Sequence, residues 1–262
     1  MKINYFTRVS LSCLLCVSVV ITGCCISIGD FCRAKYEKAE HLSAPLEPGQ
    51  SLHLQNNVGE ITVAGVDVTR CDVTATITAR AMTKEGAEKL AEEVQIKLEP
   101  SDNKLNIRVE KPDKMCKHSI TIDFNITVPK QTALQLATNV GEIHISNITQ
   151  PIEAETDVGT ITCRQITGDI DLATNVGEVT VVYSETAPSA CNADIKTDVG
   201  EIDFTAPPEL SAQVNVSVDI GSIQTDLPLT VKGTINKSLS GTIGKGEGKV
   251  ILKTNVGSIK IR

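Results

Sequence analysis

A short phrase recurs down the second half of this 262-residue chain and limits its fold more than any other feature. It reads Thr138-Asn139-Val140-Gly141-Glu142-Ile143, then Thr156-Asp157-Val158-Gly159-Thr160-Ile161, then Thr174-Asn175-Val176-Gly177-Glu178-Val179. Thr197-Asp198-Val199-Gly200-Glu201-Ile202 and Thr254-Asn255-Val256-Gly257-Ser258-Ile259 match it. Val218-Asp219-Ile220-Gly221-Ser222-Ile223 is a close variant, and Ser240-Gly241-Thr242-Ile243 a degenerate one. A further copy at Asn57-Val58-Gly59-Glu60-Ile61 lies far upstream. From Gly141 the glycines are spaced by 18, 18, 23, 21, 20 and 16 residues.

A period of this length is the mark of a stacked repeat architecture. Eighteen extended residues trace about 60 Å, and neighbouring strands lie about 4.8 Å apart. No helical period interrupts the coils, so each winds onto the last by parallel pairing. The glycine marks a corner that needs positive φ or close backbone approach, and the preceding Asx can bond its own backbone there. The corner set is Gly59, Gly141, Gly159, Gly177, Gly200, Gly221 and Gly257, with Asn139, Asp157, Asn175, Asp198, Asp219 and Asn255. Past each glycine, alternation sends Ile143 and Ile145 inward, like Ile161 and Cys163, or Ile202 and Phe204. The extra residues before Gly200 read as a loop near Ser184 to Ala190. Aromatic residues make up 3% of the chain against 41% hydrophobic, so the core is aliphatic and suits thin, closely stacked layers.

Upstream, residues 50–130 read as a β-rich subdomain. Val73, Ala75, Ile77 and Ala79 alternate with Thr74, Thr76 and Thr78, the pattern of a half-buried strand. Ala87, Leu90, Ala91 and Val94 form an apolar helical stripe behind Thr83, a suitable N-cap. A hairpin follows around Pro100 to Asn103, then a strand through Ile120, Ile122, Phe124, Ile126 and Val128 that ends at Pro129. Residues 24–49 show no clear period and read as a tether.

Lys2 and Arg8 flank the start of a 13-residue apolar run, Val9 to Ile21. That is short of the roughly 20 residues of a membrane span and matches a signal-peptide core. The run ends in Ile21-Thr22-Gly23-Cys24, which closely resembles the bacterial lipobox. The resemblance implies cleavage after Gly23 and lipidation of Cys24; the alternative is an ordinary signal peptide or signal anchor. Several acyl chains, at about 0.8 kcal/mol per buried methylene, anchor a protein stably. Residues 1–23 are thus the expected lipoprotein signal peptide of an exported protein. Residue Cys25 after the anchor points to the outer membrane if the organism is Gram-negative. Removing Lys2 and Arg8 leaves 23 basic against 32 acidic residues, a net charge of −9. That balance speaks against a nucleic-acid partner, which calls for a basic patch.

Six cysteines remain after Cys24, enough for three disulfides in 15 connectivities. Cys71 and Cys116 flank strands of one subdomain and are the first expected pair. Cys163, at a core position, reads as a small buried hydrophobe. With no CxxC pair among these six, no metal site is expected.

A strand with a glycine corner, a Thr-rich strand, a short helix, a hairpin, a strand ending in Val128-Pro129 and then T-x-x-G-x-I repeats together resemble the bacterial "putative adhesin" domain family. The resemblance covers about Gln50 to Arg262. It implies an all-β fold, a right-handed parallel β-solenoid over residues 131–262 preceded by the subdomain with one helix. It supplies no catalytic residues, and the adhesin label is analogy by fold.

The repeats also build columns. Glu142, Glu178 and Glu201 follow the corner glycines, with Glu178 and Glu201 adjacent, and Asp198 and Asp219 should be neighbours one coil apart. A weak cation-binding edge and a solvated acidic edge with Asx turn caps are both open readings. Gly241 to Lys249 lacks the ending of a phosphate loop and reads as two solenoid turns. No cofactor and no reaction are expected. The leading expectation is a non-enzymatic envelope lipoprotein presenting a rigid surface for adhesion or matrix attachment, with an envelope protein or polysaccharide as partner. The alternatives are a periplasmic scaffold or sensor module, and a polysaccharide-cleaving enzyme using Glu178 and Glu201.

Overall fold

The computed structural model describes residues 34–111, 119–227, 230–231 and 237–262. The expected signal segment, Cys24 and Cys116 lie outside the described residues. The described residues open with β1 (Ala34–Pro45), β2 (Ser51–Val58), β3 (Ile61–Val66) and β4 (Arg70–Ala81). Helix α1 (Lys84–Glu92) follows, then β5 (Gln95–Ser101), β6 (Lys104–Glu110) and β7 (Ser119–Pro129). The repeats give β8 (Ala133–Val140), β9 (Ile143–Ser146), β10 (Ile152–Val158), β11 (Ile161–Ile166), β12 (Ile170–Val176), β13 (Val179–Tyr183), β14 (Asn192–Val199) and β15 (Ile202–Thr205). Last come β16 (Ala212–Thr225), β17 (Thr230–Val231), β18 (Ser238–Ile243) and β19 (Gly248–Ile261).

The repeat winds as its period requires. In the coil at Gly141, Leu134 and Leu136 face inward, the glycine turns the chain, and Ile143 and Ile145 face inward from the second strand. One coil on, Ile152 and Ala154 pair in parallel register with Leu134 and Leu136, and Ile161 and Cys163 with Ile143 and Ile145. Two parallel ladders result. One runs β6, β2, β8, β10, β12, β14, β19, β16; the other runs β7, β3, β9, β11, β13, β15, β19, β16. Each inward strand face supplies one aliphatic core that extends from β1 to β19. The fold is all-β and solenoid-like, with α1 as the one helix among the described residues.

Helix α1 sits where its stripe predicts. Ala87, Leu90 and Ala91 are buried, and Thr83 Oγ1 accepts from the Gly86 N–H at 3.1 Å. The loop of the long repeat spans residues 184–191, between β13 and β14.

Three expectations are corrected. Residues 34–45, assigned above to a tether, form β1, paired antiparallel with all of β4. Its half-buried face is carried by side chains of low hydropathy such as Tyr36, Lys38 and Glu40, so no apolar period is visible. The division at residues 130 and 131 does not separate two cores. β2 and β3 are the first coil of the solenoid, in parallel register with β8 and β9.

The C-terminal order is the third correction. Ser240 to Ile243 is not a coil: it lies in β18, antiparallel to β16. The segment after it is a turn that wraps Ser211 instead of two solenoid turns. Lys245 N donates to Ser211 Oγ (3.0 Å) and Gly248 N to Ser211 O (2.8 Å). That turn carries the chain past β16, and β19 enters between β14 and β16. The corner glycines therefore stack as 59, 141, 159, 177, 200, 257, 221.

The expected Cys71–Cys116 pair rests on Cys116, which lies outside the described residues; Cys71 is buried.

Candidate functional site

The stacked corners form one continuous edge, and each residue of the hexapeptide has its own task there. Thr156, Thr174, Thr197 and Thr254 are buried, and each hydroxyl donates to the glycine carbonyl of the neighbouring coil at 3.3 to 3.5 Å. Thr138 is the exception, with no partner for its hydroxyl. In the first coil Asn56 takes this position, and its Nδ2 donates to Ile122 O at 2.8 Å. Gly159 has φ of +155°, and a Cβ there would overlap the Gly141 carbonyl oxygen. Its N–H donates to Val176 O at 3.0 Å. The coils approach too closely at this corner for any side chain.

The Asx column is exposed and forms a charge ladder. In stacking order it reads Asn57, Asn139, Asp157, Asn175, Asp198, Asn255, Asp219. Asn175 Nδ2 donates to Asp157 Oδ1 (3.0 Å), and Asn255 Nδ2 donates to Asp198 Oδ1 (2.9 Å). The expected adjacency of Asp198 and Asp219 does not occur, because β19 puts Asn255 between them. Two carboxylates about 5 Å apart would repel by about 0.8 kcal/mol even in bulk water. The inserted amide replaces that repulsion with a donor.

On the other side of the glycines, Glu60, Glu142, Thr160, Glu178, Glu201, Ser258 and Ser222 form a second column, exposed at its four glutamates and Ser222 and half-buried at Thr160 and Ser258. His144 Nε2 lies 2.9 Å from Glu142 Oε2 and 4.0 Å from Glu60 Oε1. Thr180 donates to Glu178 at 3.1 Å, and Lys260 Nζ stands 3.7 Å from Glu201. Glu178 and Glu201 are on adjacent coils, as the spacing predicts. Among the described residues no cluster of three or more His, Cys, Asp and Glu side chains is placed to hold a metal ion.

Between these columns runs a feature that the repeat did not announce. Val58, Val140, Val158, Val176, Val199, Val256 and Ile220 are 38 to 66% exposed. Apart from Met82, they are every large exposed hydrophobic residue described. Strict alternation after Leu134, Leu136 and Thr138 would bury Val140; the glycine corner turns the strand before that, and the side chain ends on the rim. Fully burying such a side chain is worth about 1.5 kcal/mol or more, and each of seven coils forgoes part of it. Threonine would keep the β-branched backbone preference without the apolar exposure. The signal in the sequence is the unbroken Val/Ile before every corner glycine.

A second concavity, of about 560 Å³, lies where the β5–β6 hairpin curls over β2, β8 and β10. It is polar: His53, Gln55, Glu99, Arg108, Gln135 and Glu153 line it. Gln135 Nε2 donates to Glu153 at 3.1 Å. Burial, with the Lys104 ammonium beside it, holds the His53 imidazole below its usual pKa against the opposing pull of Glu153.

The three described cysteines are buried thiols. Burial pushes Cys71 and Cys163 up to about 12, and Cys191 to about 11, out of the range of a nucleophile. Burial likewise raises the Tyr183 phenol, whose hydroxyl donates to Gly168 O at 3.1 Å.

A family model described as Toastrack DUF4097 matches residues 43–262. Among solved structures, a "putative cell adhesion protein" from Clostridium sporogenes superposes with a TM-score of 0.52 at 15% identity, covering 86% of this chain and 99% of that one. A "putative adhesin" from Bacteroides fragilis gives a TM-score of 0.44 at 18% identity, covering 86% and 97%. At 15% identity the likeness to the Clostridium sporogenes protein is one of fold. No curated protein matches the chain.

Proposed function

The chain belongs to the Toastrack DUF4097 family, and from that premise we propose that it is a non-enzymatic lipoprotein of the bacterial envelope that presents a rigid β-solenoid surface for adhesion or matrix attachment. The observation that carries this reading is the edge itself. Seven coils stand in one uninterrupted stack over one core, so their outward side chains repeat at fixed spacing as a flat, extended surface. Quasi-one-dimensional repeats are suited to long partners for that reason. The coils wind right-handed, the hand that parallel β crossovers strongly prefer.

Lipidation at Cys24 supplies the address. Nine residues lie between Cys24 and the start of β1 at Ala34, a reach of about 35 Å at most. The anchor thus holds the molecule by its first strands, and the stacked edge projects from the β1 end. The carboxylates on that edge serve as solvated caps and not as an acid–base pair, since Thr180 donates to Glu178 and Lys260 faces Glu201.

The test is the mass of the N-terminal peptide from membranes, beside a Cys24→Ala variant, with protease shaving of intact cells. Acylated Cys24, membrane association lost in the variant and cleavage at the cell surface are the expected results. An unmodified terminus would remove the anchor, and a domain cut only after permeabilisation would remove adhesion.

A further inference from the structure

We propose that the exposed valine ridge is the docking face for a cationic amphipathic α-helix of a partner protein. The ridge consists of Val58, Val140, Val158, Val176, Val199, Val256 and Ile220, one per coil. This goes beyond the envelope role by committing to a surface and an occupant, and it does not depend on the lipid anchor.

Spacing selects the form of the partner. Coils repeat at about 4.8 Å, so seven ridge residues span about 29 Å. A helix rises about 1.5 Å per residue, so about 19 residues cover that length. The a and d positions of a heptad place an apolar side chain about every 5.2 Å along the helix axis, close to the ridge interval. The two rows border a shallow groove that accepts a single line of β-branched side chains. An extended chain laid along the ridge would present one face about every 6.7 Å and fall out of step within two or three coils.

Charge selects its chemistry. Asp157, Asp198 and Asp219 line one side of the ridge, and Glu60, Glu142, Glu178 and Glu201 the other, all exposed. Among the described residues Lys260, 3.7 Å from Glu201, is the one Lys or Arg that pairs with a carboxylate of these columns. A helix with Lys or Arg flanking its apolar seam meets carboxylates on both sides. A second copy of this chain would match the spacing of the ridge but bring acidic columns against acidic columns.

The test uses the mature chain carrying Cys24→Ser, which leaves every described residue unchanged and keeps the protein out of micelles. The probe is a labelled 20-residue helical peptide with Leu at a and d and Lys at e and g, read by fluorescence anisotropy. The comparison protein carries Val158→Thr, Val176→Thr and Val199→Thr, exposed changes that keep every acid and the β-branched shape; circular dichroism and melting confirm its fold. Binding at least tenfold weaker to this variant, at least tenfold weaker for a peptide with Glu at e and g, and absent for a scrambled peptide of the same composition is the expected result. Equal binding to the valine and threonine forms would overturn the proposal, since charge alone would then suffice, as would no binding at all. A concentration-dependent dimer in sedimentation that the threonine changes abolish would also overturn it, assigning the ridge to a second copy. Any of these failures would leave lipidation of Cys24 untouched, because that is read from the peptide mass.

Discussion

The coils at Gly141, Gly159, Gly177 and Gly200 and the closing unit of β16, β18 and β19 carry the same corner motif, but they are assembled differently. The four coils stack in chain order, each paired to the one before it through 18 to 23 residues of intervening chain. In the closing unit β16 is central, flanked by antiparallel β18 and parallel β19, and it meets the rest of the protein through β19. β16 is also one long strand crossing both ladders, as is β19. The unit is local in sequence, so it can pair within itself and dock as a cap. Repetition of the motif sets the geometry of each corner; it does not set which corner follows which. The alternation of Asp and Asn rewards the observed order, since the order of the chain would put Asp198 against Asp219.

This comparison can be broken, most forcefully by removing the strand that joins its two sides. A chain ending at Gly246 loses β19 with its buried Val250, Leu252, Ile259 and Ile261. Hydrogen exchange should then show β16 and β18 unprotected while β8 to β13 remain protected. Continued protection of β16 would mean that it can stack directly on β14 and β15 as an ordinary coil.

Glycine substitutions compare the interior with the end. Gly159→Ala forces a Cβ into the Gly141 carbonyl at φ of +155°, with coils packed on both sides. Urea denaturation should show a loss of about 3 kcal/mol or more. Gly221→Ala meets the Gly257 carbonyl at φ of +145°, but at the last coil, which can shift outward. A loss of about 1 to 2 kcal/mol is expected there, and equal losses would place the cap and the coils under the same constraint.

Alkali acts mainly on the coils, through Cys163 and Cys191, and on β4 through Cys71. These thiols titrate near 9 when unfolded and at about 11 to 12 when folded. The folded state therefore holds its protons longer, and stability falls as pH rises from about 9 toward 12. Below pH 9 the thiols should resist alkylation until the chain unfolds. Rapid native-state labelling of Cys163 would show that the coils open locally.

The smallest effect sharpens the ladder. Asn175→Asp sets three acids in a row among the coils, and Asn255→Asp does the same across the joint with the cap. Each should cost about 0.5 to 1 kcal/mol at low salt and less at 0.5 M salt. A neutral Asn255→Asp would mean that the alternation has no part in choosing the order of the last two coils.

Much of this was legible residue by residue. The alternation of Val73, Ala75, Ile77 and Ala79 and the stripe of Ala87, Leu90 and Ala91 mark β4 and α1 because burial follows local period. The position of β1 was not legible, since this edge strand carries Lys35 and Glu37 outward and Lys38 and Glu40 even on its half-buried face. The edge was half legible: its glycines and Asx residues stand out by repetition, whereas the exposure of Val140 and its equivalents contradicts strict alternation. The concavity around His53 was not legible, because it needs β5 and β6 to meet strands about 30 to 55 residues away in the chain.

The sequence by itself determined the repeating unit: an inward aliphatic pair, a buried threonine, an Asx, an outward valine and a glycine with no room for a side chain. These are local demands, met by φ, alternation and a backbone approach that recurs wherever the motif does. Only the tertiary structure decided the order of stacking, the first coil formed by β2 and β3 far upstream, and the closing of the end by β16, β18 and β19. All three depend on which strand edges meet. Parallel edges built from one motif are nearly interchangeable, so the choice among them rests on the turn around Ser211, the register of the core and the charges that come to lie side by side.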